Sequence, residues 1–383
     1  MRRRGCLHPL LAGLTLGPGA ALGAAPRPEG DCVLDGPQGA WLLGAAGTLQ
    51  PLPHAVPPVA TAGAVWTAAL DGARAAVQCW RRRPEGGWAV AATRALEGPV
   101  HALAASADGR HAIAAHGQRL AVIGADGSVL AAFEGRDLAR RRQGPAEALF
   151  ALAARRSFVA SWPALGELWE ISLDPAAAPI YDGLVHDYRM GEGIAKPGLF
   201  GARRTPLAPG MPAIEFAEAG LPWVAARADG GVAIVHLDVR RRVAMLPLAD
   251  ARPAAGALVR TPDREAWWLP AGDRVHLVDA RRWTVLASHA APAPRPVLQA
   301  LDDRIAALAG DPAMLWLWQD GRWQARPEIG AVAALGSDAA AGQWLVVAGS
   351  PPALLRLDRE GRRLDAIALP ADLRGSRVQA VPA

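Results

Sequence analysis

The chain is poor in tyrosine, phenylalanine and lysine. Its 383 residues include two Tyr, five Phe and one Lys, Lys196, and both tyrosines, Tyr181 and Tyr188, fall in one short stretch just before that lysine. Cysteine is scarce as well, three in all. No Cys-x-x-Cys-His occurs, which excludes a covalently attached c-type haem. No Cys/His cluster has zinc-site spacing, so no zinc is expected. The one apolar run near the N-terminus is too short and too rich in Gly and Pro to span a bilayer, so no stable membrane insertion is expected. Long amphipathic patterns of helical period are missing too, which argues against a helical fold.

Alanine, glycine, proline and arginine fill the gap. The composition is 51% hydrophobic and 20% charged, as a well-buried globular core requires. The net charge of +5 comes almost wholly from arginine. Arginine clusters at 81–83, 140–142 and 240–242 recur at turns, one to a repeat, and not on one face with a recognisable module. Nucleic-acid binding is therefore not expected.

Arg2, Arg3 and Arg4 precede a short apolar run over 7–22, and small residues follow at Gly23, Ala24 and Ala25. This reads as a secretory signal over residues 1–25 and predicts a periplasmic mature protein. Cys6 lies before the apolar run and is no lipid anchor. Only Cys32 and Cys79 then remain, which leaves a single intramolecular disulfide open in an oxidising compartment.

A repeat runs through the rest. HALAASADGRHAIAAHGQRLAVIGADGSVLAAF from His101 matches ALVRTPDREAWWLPAGDRVHLVDARRWTVLASH from Ala257 in its order of apolar strand, polar turn and apolar strand. Short antiparallel strands at a period of about 35–45 residues predict an all-β propeller. Units beginning near Cys32, Val65, Val100, Leu149, Ile214, Ala257, Leu298 and Ala333 give eight blades in one domain over 32–383. Most of the 14 tryptophans are expected to fill space between blades. The spacing breaks once, at about 175–213, which predicts a long inter-blade loop. That loop carries IYDGLVHDYRMGEG from Ile180, and loops of this length in compact domains tend to be functional.

VHALAASADGRHAIA from Val100, and YDGLVHDYRMGEG followed by Pro-Gly and Arg-Arg-Thr, resemble stretches of the cytochrome d1-type haem-domain propellers. That family, set within the broader YVTN-type repeats, includes the d1 domain of cytochrome cd1 nitrite reductase and periplasmic proteins of haem d1 biosynthesis. The resemblance implies a cofactor, haem d1 or a related tetrapyrrole, with His101 as candidate haem-iron ligand and His116 and His186 as secondary candidates. Haem d1 bears several carboxylates, and Arg189, Arg203 and Arg204 are the candidates to grip them. Tyr181, Tyr188 and Phe200 are candidates to cover the flat ring. The departures are specific. Where the nitrite reductase has two distal histidines, this chain reads PAIEFAEAG from Pro212 and ADARPAAG from Ala249. Proton-coupled reduction needs a positioned acid, so a full nitrite reductase is not expected.

The leading expectation is a periplasmic protein that binds or helps mature a modified tetrapyrrole. The alternative is a non-catalytic interaction propeller scaffolding a periplasmic redox protein. A third reading makes Asp182, His186, Asp187 and Glu192 the acid/base groups of an enzyme. The oligomeric state is left open.

Overall fold

Apolar runs joined by Asp-led turns become hairpins because the carboxylate accepts the backbone N–H two residues on. Asp108 accepts from Arg110 at 3.0 Å, Asp126 from Ser128 at 2.9 Å, Asp279 from Arg281 at 2.8 Å and Asp358 from Glu360 at 3.0 Å. This side-chain bond stands in for a backbone one and fixes the turn. The structure, a computed structural model, describes residues 30–382 except 45–46, 72–73, 181–195, 208–212, 219, 262–263, 372 and 374–376.

The hairpins assemble into eight four-stranded antiparallel sheets, the blades of a β-propeller. Blades 2 to 8 cover residues 56–96, 100–134, 148–206, 216–246, 257–290, 297–325 and 332–368. Blade 1 is shared between distant segments. Cys32–Gly36, Gly39–Leu43 and Leu49–Leu52 supply three strands, and Arg377–Ala380 adds the innermost one, antiparallel to Cys32–Gly36. The ring closes there, because the first and last segments of the propeller share one sheet, and each blade keeps only short edges. Apolar cores fill the wedges between blades, with Trp66 between blades 2 and 3, Trp162 and Trp169 between 3 and 4, Trp267 between 5 and 6, and Trp344 between 7 and 8. All five are fully buried, the role expected of most tryptophans.

Two expectations change. The second blade starts at Val56 and not near Val65, because its first strand, Val56–Thr61, carries Pro57 and Pro58 at a register shift and loses the alternating pattern. Within the stretch 175–213, Ala202–Pro206 forms the outermost strand of blade 4, paired with Glu167–Ser172. The interruption therefore lies inside blade 4, ahead of its last strand. Cys32 and Cys79 are both free: one lies in the core between blades 8 and 1, the other in that between blades 2 and 3. Among the described residues no helix is long and apolar enough to cross a membrane.

Antiparallel order gives the ring two chemically distinct faces. Each blade's innermost strand starts on what we term the entry face, together with the turns joining second to third strands. It ends on the exit face, which also bears the turns joining third to fourth strands. The insertion of blade 4 is such a turn and sits on the exit face. Ile180 and Lys196 close its neck by exchanging backbone hydrogen bonds of 2.9 and 2.8 Å.

Candidate functional site at the entry face of the channel

His101 stands near the start of blade 3's innermost strand, Val100–Ala105. Val100 pairs with His116 and Ala102 with Ala115, so His101 is an extra residue in a β-bulge. Bulges of this kind re-aim a side chain and recur beside binding sites. The exposed imidazole donates its Nε2–H to the carbonyl oxygen of Ala146 at 2.8 Å, in the connection entering blade 4. A carbonyl can only accept, so Nε2 carries the proton and Nδ1 keeps a lone pair. Histidines that bind metal characteristically anchor their second nitrogen in this way. His116 reaches the same face, but it is buried and its Nδ1–H donates to the Glu97 carbonyl at 2.8 Å.

Across the ring, two adjoining cavities of about 350 and 480 Å³ open on the entry face at blades 5 to 7. Arg227, Arg252 and Arg295 line both. Arg227 lies near the end of the second strand of blade 5, Trp223–Ala228, and is ion-paired with Glu215. Arg252 lies in the connection entering blade 6 and donates Nη1 to the Pro296 carbonyl at 3.4 Å. Arg295 lies in the connection entering blade 7, exposed, with a left-handed backbone of φ 53° between two prolines. A non-glycine residue there is sparsely populated and is held only by its surroundings. Two carboxylates, Glu215 and Asp250, face these three guanidinium groups, so the mouth is cationic on balance. Guanidinium forks suit carboxylates, which they grip through paired hydrogen bonds. In a ring of eight, blade 7 lies opposite blade 3, so Arg295 and His101 stand on opposite sides of the same face of the ring.

Two of the arginines foreseen in the insertion, Arg203 and Arg204, have partners within blade 4 and its surroundings. Arg203 donates to the Ala178 carbonyl at 3.4 Å and is held to the insertion. Arg204 lies 4.1 Å over the Trp169 ring and donates to the Arg136 carbonyl at 2.9 Å, tying blade 4 to blade 3. Tyr181, His186, Tyr188 and Arg189, with Asp182, Asp187 and Glu192, lie outside the described residues. Phe200 is on the exit face, against His111. Among the described residues no group of three or more His, Cys, Asp or Glu is placed to hold a metal ion.

The fold defines the class: an eight-bladed β-propeller. The particular likeness is to dihydro-heme d1 dehydrogenase NirN, solved in complex with DHE, with a TM-score of 0.68 at 18% identity over 96% of this chain and 79% of that one. The Dos1 propeller is also similar, with a TM-score of 0.53 at 10% identity over 84% of this chain and 88% of that one. At such identities the likeness is one of fold. No family model and no curated protein matches the sequence.

Proposed function

We propose that the protein binds a modified tetrapyrrole of the haem d1 type across the entry-face mouth, as a periplasmic binding or maturation protein. The observation that carries this is a bulge-presented histidine on blade 3 and, on the same face of the ring at blades 5 to 7, three arginines lining adjoining cavities. The donor set fits such a ligand: His101 would offer its Nδ1 lone pair to the iron, and Arg227, Arg252 and Arg295 would meet the carboxylates of the ring's periphery. When bound, the macrocycle's iron supplies the ligand-exchange and electron-transfer chemistry. The chain's own residues orient the ring and neutralise its acids. No histidine stands in the segments where the nitrite reductase has its distal acids, so the reading stops at binding or maturation.

The test is an absorption titration with haem d1, with protohaem alongside. A shifted Soret band that disappears in His101→Ala is the expected outcome. No spectral change with either tetrapyrrole overturns the reading.

A further inference from the structure

A further cavity lies on the exit face and shares no lining residue with those of the entry face. Its volume is about 360 Å³, within the range of small-molecule sites. The first hairpins of blades 3 and 4 and the base of the blade 4 insertion enclose it. Leu152, Leu173, Leu199 and Phe200 supply apolar wall. Phe200 has φ 54°, a conformation that a bulky side chain rarely adopts. Tight packing imposes it. A Cβ on Gly201 would meet the Pro197 carbonyl oxygen at 2.4 Å, and one on Gly198 that of Ala177 at 2.1 Å, so only glycine fits on either side of the Leu199–Phe200 pair. The Phe200 N–H is tied to the Ser172 carbonyl at 2.8 Å. The result is an aromatic ring set edge-on to His111, with centroids 6.0 Å apart. Strain of this kind is kept where surrounding structure needs the side chain displayed.

The polar groups of the cavity are mostly spoken for. Arg156 is paired with Asp174 at 3.1 Å, Asp108 accepts from Ser106 Oγ at 2.6 Å, and Ser157 donates to Glu170 at 3.0 Å. The exposed Arg110 lies 4.0 Å from Asp108. The His111 ring, by contrast, has no hydrogen bond among the described residues. Burial pushes its pKa down, which favours the uncharged imidazole, with one donor and one acceptor, in the cavity wall.

We infer that this cavity is a binding site for a small, flat, uncharged aromatic molecule bearing a hydroxyl or carbonyl group, its ring against Phe200 and its polar edge on His111. Charged ligands are disfavoured because the rim cations already have carboxylate partners.

The probe is 2-naphthol, followed by saturation-transfer NMR titration on the full chain. Binding is expected in the wild type and at least about tenfold weaker in His111→Ala, in Ala151→Trp, which fills the cavity, and in Phe200→Gly. Phe200→Gly relieves the left-handed strain, so its melting temperature should hold while binding is lost. His101→Ala should bind naphthol normally, which separates this site from the tetrapyrrole reading. Absence of binding in the wild type, or equal binding in Ala151→Trp and Phe200→Gly, overturns the inference.

Discussion

His101 and Ala146 are joined by a 2.8 Å hydrogen bond that crosses from the innermost strand of blade 3 to the connection entering blade 4. One contact thus fixes both the tautomer of the imidazole and the spacing of two blades at the mouth. Glutamine at 101 can keep an N–H donor but has no imidazole lone pair. We therefore expect His101→Gln to retain the wild-type melting temperature and lose the tetrapyrrole-induced spectral shift. His101→Ala should lose the shift and about 1 kcal/mol of stability, read by urea denaturation.

Arg252 and Arg295 are expected to act on the ligand's acids. Replacing either by alanine should weaken tetrapyrrole binding roughly tenfold, about 1.4 kcal/mol. A methyl-esterified tetrapyrrole, titrated alongside, should bind wild type and variants alike, since its acids no longer recruit a guanidinium.

Arg204 is expected to be structural. It bonds the Arg136 carbonyl and covers Trp169, so Arg204→Ala should lower stability by about 1 kcal/mol by denaturant titration. Its tetrapyrrole affinity should match wild type. A loss of affinity without a loss of stability would return Arg204 to the ligand site.

The two core thiols should be inert. Burial pushes the Cys32 thiol up to about 11 and raises that of Cys79 as well. At pH 8 both remain protonated, and a thiol is a poor nucleophile. Peptide mapping after iodoacetamide treatment should find both unlabelled in the native protein and labelled in denaturant.

Stability should decline in mild acid. Desolvation lowers the pKa of His111 and of His276, with Arg274 adding to the second. The folded state thus prefers both rings uncharged. Their contribution is complete above the unfolded value of 6.5 and is lost as pH falls through the depressed folded values. Melting curves should shift downward between about pH 7.5 and about pH 5, and His111→Phe should flatten part of that shift.

Blade architecture was legible because its two ingredients are local: alternating strands and an Asp side chain that closes its own turn. Pro57 and Pro58 hid the first strand of blade 2 by breaking that alternation. The outermost strand of blade 4 escaped notice because a long insertion separates Ala202–Pro206 from its partner strand. The arginine mouth was not visible because it draws one residue from each of three connections or strand ends, brought together only by ring closure. A trace did exist: Arg252-Pro253 and Arg295-Pro296 recur at the entries to successive blades. His111 follows His101 closely in sequence, yet one crossing of the innermost strand carries it to the opposite face. Proximity along the chain is no guide to which face a propeller residue serves.

The innermost strand of blade 1 also sets a timetable. Cys32–Gly36 pairs with Arg377–Ala380, a strand that lies more than three hundred residues further along the chain. Until that strand docks, blade 1 lacks its innermost strand and the ring is open. Final closure is a late event that depends on very distant contacts, the kind that slows folding and lengthens exposure to aggregation.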